Sequence, residues 1–149
     1  MYIQGQGVPQ DYREAVSFYR KAAAQDFTMA QLNLGLVYMT GVNGIPKDYP
    51  EAMLWLRKSA ERGNAVAQLG LATMYEAGMG VPQDYSEAVL WCRKSVAQGN
   101  AGAQYTLGLM YEVGGQGVAQ DMHEAVALYK KAAEQSFAPA QSKLKALIK

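Results

Sequence analysis

Only one cysteine and one histidine occur among the 149 residues, Cys92 and His123. An internal disulfide is therefore excluded, and the thiol and imidazole cannot build a metal site by themselves. A nucleophilic dyad needs the two side by side, yet they stand 31 residues apart on a repeating chain. Excess charge of either sign is missing too. Lysine and arginine number 14 against 13 acids, a net charge of +1, so nothing draws the chain in bulk to nucleic acid or acidic lipid. No apolar run approaches the ~20 residues that a membrane-spanning helix needs. Charged residues make up 18% and hydrophobic ones 50%, which excludes a disordered chain and supplies a core.

What is present is a period. Asp11, Asp48, Asp84 and Asp121 follow one another at 37, 36 and 37 residues, and each opens the phrase Asp-x-x-Glu-Ala. A second phrase keeps step with it: Ala30-Gln31, Ala67-Gln68, Ala103-Gln104 and Ala140-Gln141. A repeat of this length is one supersecondary unit that cannot cover its own apolar face, so copies must stack.

Each phrase starts a helix. The aspartate is placed to cap the helix N-terminus, and the glutamate three residues on is expected to reach back, completing a capping box. Helical spacing then sets Ala15, Phe18, Tyr19 and Ala22 on one stripe, and Ala52, Trp55, Leu56 and Ser59 on the next. Gly63 and Gly99 are expected to stop two of these helices, with Asp26 and Ser136 in the equivalent places. A second helix carries Ala30, Leu34, Gly35 and Tyr38, then Ala67, Leu71, Ala72 and Tyr75, then Ala103, Leu107, Gly108 and Tyr111. The small residue at Gly35, Ala72 and Gly108 lets a neighbouring helix approach closely. Glycine-bearing loops, from Gly5-Gln-Gly7 to Gly114-Gly-Gln-Gly117, close the repeats and are connectors, since none follows a strand as a phosphate cradle does.

These two phrases, Ala-Gln-x-x-Leu-Gly-x-x-Tyr and Gly-x-Gly-Val-x-x-Asp-x-x-x-Ala-x-x-Trp-x-x-Lys-Ala-Ala, resemble the Sel1-like repeat family, relatives of the tetratricopeptide repeat. The resemblance covers essentially the whole chain. It implies an all-α fold, an α/α superhelical solenoid of antiparallel helix pairs. Residues 1–149 are expected to form a single array of about four repeats. Tyr2 aligns with Tyr38, Tyr75 and Tyr111, so the first repeat reads as truncated at its N-terminus. Lys145 stands where the close-packing glycine stood, and with Lys143 and Lys149 it marks residues from about 138 to 149 as a capping helix. Met1-Tyr-Ile-Gln-Gly has neither the basic start nor the apolar core of a signal peptide. The compartment, cytoplasm or periplasm, is left open.

Most of the charge has a structural use. Arg20-Lys21, Arg57-Lys58, Arg93-Lys94 and Lys130-Lys131 hold eight of the fourteen cations near helix C-termini, where the dipole favours them. Arg57–Glu61 and Lys130–Glu134 also have the spacing of i,i+4 pairs. Glu76 and Glu112 are left over, in one register on successive second helices. Helices packed ~8–10 Å apart would bring such carboxylates near the spacing of an inverting glycosidase, or leave them as an exposed acidic ladder.

By the resemblance, the second helices line the concave side of the superhelix. Removing their packing residues leaves Met29, Leu32, Asn33, Leu36, Met39, Leu69, Thr73, Glu76, Tyr105, Thr106, Leu109 and Glu112 as the candidate protein-binding face. Val113 extends it. Methionines suit such a face because they repack against varied ligands. The expected function is a non-enzymatic bacterial adaptor or scaffold that binds a protein or peptide segment there, with no cofactor, no metal, no nucleic acid and no membrane insertion. The alternative is an immunity protein that neutralises a toxin enzyme. A hydrolase of β-lactam or cell-wall glycan type is the third reading.

Overall fold

A computed structural model describes residues 11–42 and 44–149. Tyr2, Gly5, Gly7 and Asn43 lie outside the described residues. Among the described residues the chain forms eight helices and no strand: α1 (Tyr12–Ala24), α2 (Thr28–Thr40), α3 (Tyr49–Glu61), α4 (Ala65–Ala77), α5 (Tyr85–Ala97), α6 (Ala101–Val113), α7 (Met122–Glu134) and α8 (Ala138–Ile148). The fold is all-α and of the α/α solenoid class, antiparallel helix pairs repeated along the chain. It divides into two compact units, residues 1–70 and 71–149, with the division inside α4.

The aspartates cap as expected. Asp48 accepts the Glu51 N–H at 3.1 Å, Asp84 that of Glu87 at 3.0 Å and Asp121 that of Glu124 at 2.9 Å. The glutamates do not complete the box, and the reason is outside the helix. The Asp48 N–H already donates to the Tyr38 carbonyl at 2.9 Å, Asp84 to Tyr75 at 3.0 Å and Asp121 to Tyr111 at 2.8 Å. With that donor taken, Glu51 turns forward and accepts the Trp55 indole N–H at 2.9 Å, and Glu87 accepts that of Trp91 at 3.2 Å. Each aspartate thus ties a new hairpin to the C-terminus of the helix before it.

The helix stops are also as read. Asp26, Gly63, Gly99 and Ser136 all take positive φ, at 66°, 89°, 79° and 62°. The next N–H closes back onto the helix: Asn64 onto Ser59 at 3.2 Å, Asn100 onto Ser95 at 3.3 Å. Asn64 and Asn100 then cap α4 and α6 through their side chains, accepting the Ala67 and Ala103 N–H groups at 2.9 Å. Phe27 and Phe137 hold the same place before α2 and α8 and provide no side-chain cap.

In the first unit, α2 packs against both α1 and α3 around Leu34 and Leu56, which are fully buried. The Ala-Gln phrase has a role not read from sequence. Its alanine is buried, and its glutamine donates to a carbonyl eight residues back: Gln31 to Ala23 at 3.2 Å, Gln68 to Ala60 at 3.1 Å. Gln141 repeats this onto Ala133 at 3.3 Å in the second unit. The second unit centres on Cys92, Leu107, Leu128 and Tyr129, all buried. Gly35 and Gly108 are the expected points of close approach, Gly35 against Leu56 and Gly108 against Tyr129.

Candidate protein-binding face

The second helices are unusual in charge. Glu76 and Glu112 are the only ionisable acids or bases, tyrosines aside, in the whole of α2, α4 and α6. Apolar and neutral side chains therefore supply whatever α2, α4 and α6 leave outside the core.

In the first unit, Met29 is 60% exposed, and Asn33, Leu36, Met39 and Leu69 are half-buried. Leu32 departs from the expectation. It is only 4% exposed and belongs to the core, because α2 is covered by α1 on one side and α3 on the other. A helix packed on two sides has a narrower free stripe than one packed on a single face. Asn64 donates to the Met29 sulfur at 3.6 Å.

In the second unit, Thr73, Glu76, Tyr105, Thr106, Leu109 and Glu112 are all half-buried. Tyr105 is committed to an aromatic group, its ring 5.6 Å from those of Tyr129 and Phe137. The two glutamates, alike in sequence register, part company in structure. Glu112 accepts a hydrogen bond from the Tyr129 hydroxyl and pairs with Lys143 at 2.9 Å. The Tyr129 hydrogen bond first, and Lys143 after it, hold this carboxyl below the usual range. Lys143, expected simply to wet the last helix, is thus an ion-pair partner.

Glu76 has no such company. It lines a cleft of about 290 Å³ with Tyr85, Leu109, Met110, Val113, Val118 and the turn at Gly114–Gln116. Burial alone pushes its pKa up. Leu109 and Val113 are the other expected face residues that the cleft brings together with Glu76, and the turn residues were read from sequence only as a connector. Cys92 behaves as a core residue: its thiol donates to the Ala103 carbonyl at 3.3 Å, and burial, with Glu76 adding to it, pushes it up to about 12.

Four of the eight basic residues in the repeated slot of the first helices are held by aromatic partners. Arg20 donates to the Tyr38 hydroxyl and Arg93 to that of Tyr111. The Lys58 ammonium lies 4.8 Å from the Trp55 ring centre, and that of Lys94 lies 4.0 Å from Trp91. These contacts use the cations within the fold. His123 is exposed on the first turn of α7. Among the described residues no group of three or more histidines, cysteines or acids is placed to hold a metal ion, and no helix is long and apolar enough to cross a membrane.

Paired helices at this period define a helical-repeat protein. The sequence matches the Sel1 repeat at residues 1–27, 28–64, 65–100 and 101–137, and the chain belongs to that family. Sel1 repeat proteins generally mediate protein–protein interaction and are typically non-enzymatic scaffolds. Among solved structures, the chain is similar to a protective antigen present in uropathogenic Escherichia coli strains, at 37% identity and a TM-score of 0.92 over 99% of this chain. A Sel1 repeat protein from Oxalobacter formigenes is 39% identical, with a TM-score of 0.86 over 97% of this chain. The chain spans 31% and 58% of the lengths of those two proteins. Cysteine rich protein B of Helicobacter pylori shares the fold at 22% identity and a TM-score of 0.68, covering 93% of this chain and 98% of its own. No curated protein matches the chain significantly.

Proposed function

We propose that the chain is a non-enzymatic interaction module, an adaptor or scaffold, that holds a protein or peptide segment against the second helices of its repeats. The observation that carries this reading is the near absence of charge from α2, α4 and α6, combined with large apolar side chains left outside the core. Met29 on α2 and Val113 on α6 are 60% and 77% exposed. Exposed apolar surface costs solubility, so a face that retains it and lacks charge has the composition of a docking surface. The first helices expose large apolar residues as well, among them Phe18, Leu54 and Leu90, but there these stand beside capping acids and several cations, so the near absence of charge is what sets the second helices apart.

The reading is tested by capture with the intact protein. Met29→Glu and Leu109→Glu, each checked for an unchanged helical circular dichroism spectrum, are expected to lose the captured partner. Lys131→Glu, on an exposed first-helix position, is expected to keep it. Equal retention by all three variants contradicts the reading. So does turnover of a chromogenic glycoside or β-lactam substrate that Glu76→Gln abolishes.

A further inference from the structure

The second unit contains one acid whose surroundings are at odds with its charge. The Glu76 carboxylate is half-buried in the cleft between α4, α6 and the turn after α6, and it is the only charged side chain among the residues that line it. Among the described residues no cation or hydrogen-bond donor is paired with it, whereas Glu112 one repeat on has both. Burial raises the pKa of Glu76 because an unpaired charge costs more there than in open water, and a cation set against the carboxylate would offset that cost.

The remaining lining is aliphatic or neutral. Leu109, Met110, Val113 and Val118 form apolar walls, and Tyr85 and Gln116 supply neutral oxygens. Much of the turn's backbone is already paired: Gly115 and Val118 exchange hydrogen bonds at 2.7 and 3.0 Å, and the Gly114 N–H donates to Met110 at 2.9 Å. Pockets for small metabolites run from about 300 to 1,000 Å³. At about 290 Å³ this cleft lies at the foot of that range, with room for one long side chain and its water.

We infer that the Glu76 cleft is a receptor for one lysine side chain of the bound protein segment. The four-methylene stem lies along Leu109, Val113 and Val118, and the ammonium meets the carboxylate. A lysine is the side chain that combines an apolar stem with a compact charge of the required sign. Its charge is worth more here than at an open surface, because the carboxylate has already lost part of its water. This deepens the interaction reading above and rests on it, by naming what the partner must present to α4 and α6.

The probe is the peptide acetyl-Ala-Ala-Lys-Ala-Ala-amide, titrated into the full chain while the methyl signals of Leu109, Met110, Val113 and Val118 are followed by NMR. Saturable shifts at these methyls are expected, and about tenfold weaker binding when norleucine or acetyl-lysine replaces the lysine. Glu76→Gln is expected to bring the lysine peptide down to the norleucine level. Val113→Lys, at an exposed position that leaves the core untouched, is expected to fill the cleft from within and abolish the response. Equal affinity for the norleucine peptide, or an undiminished response in Glu76→Gln, overturns the inference. The two readings fail separately. If Glu76→Gln keeps the captured protein at full affinity while Leu109→Glu loses it, the interaction reading stands and the lysine site falls. If the peptide binds as described and Met29→Glu and Leu109→Glu both keep the captured protein, the interaction reading falls, and the cleft remains a lysine site without that partner.

Discussion

A methyl group on Gly108 would lie 2.6 Å from Cε1 of Tyr129 and 3.2 Å from the Ala125 carbonyl oxygen. Helix α7 crosses α6 at this contact. Alanine in a helix is favoured over glycine by about 1 kcal/mol, so a free helix would gain from the change. Here the buried ring and a backbone oxygen oppose it, and overpacking costs about 1–3 kcal/mol. Gly108→Ala is therefore expected to lower the midpoint of thermal unfolding, and Gly35→Ala against Leu56 to do the same. An unchanged or raised midpoint would show that α7 slides to make room.

The two phenylalanine-headed helices lack what the asparagine-headed ones have. Phe27 is 61% exposed and provides no cap to α2, whereas Asn64 and Asn100 bond to the third N–H of their helices. Phe27→Asn is expected to stabilise the protein by about 0.5–2 kcal/mol. Ser136→Gly, at a φ of 62°, is expected to add a smaller gain by removing left-handed strain. Denaturant midpoints at constant slope measure both.

These expectations mark what local chemistry makes legible. Caps, stops and close approaches depend on one or two residues and the backbone beside them, so Asp48, Gly63 and Gly108 announce themselves. Contacts across the loop do not. Glu51 bonds forward to Trp55 because Asp48 has spent its N–H on Tyr38, a residue of the preceding helix. Leu32 is buried because α2 is covered on two sides, which periodicity along α2 alone cannot reveal. Glu76 and Glu112 share a register, yet only the second receives a hydrogen bond from Tyr129 of α7 and an ion pair from Lys143 of α8.

That last contact makes stability depend on pH at both ends. The Glu112 carboxyl is held below its ordinary value, so its contribution is complete above the ordinary carboxylate range and is lost as pH falls through the lowered value. The Tyr129 hydroxyl is pushed up, mainly by burial and then by Glu112. Its contribution is complete below the ordinary phenol pKa of about 10 and is lost as pH rises beyond it. Unfolding free energy measured across pH is expected to show a plateau between these limbs. Glu112→Gln should flatten the acid limb, and Tyr129→Phe should remove both the alkaline limb and part of the acid one. A Glu112→Gln profile that keeps the full acid limb would assign it to other carboxylates.

Cys92 reports on the second unit from within. Buried and pushed up to about 12, its thiol is not the ionised nucleophile that alkylating reagents need. Iodoacetamide at pH 8 is expected to label the native chain slower than the unfolded chain by on the order of a thousandfold or more. Rapid labelling of the native chain would mean that α5 opens locally.

Whether the second helices receive a polypeptide can be read out by site-specific photocrosslinking in the intact protein. A photoreactive amino acid at Met29 or at Leu109 is expected to join the chain to the same partner polypeptide, while one at Lys21 or Lys131 on the first helices yields no adduct. Adducts formed at Lys21 and Lys131, with none at Met29 and Leu109, would place the partner on the first helices instead.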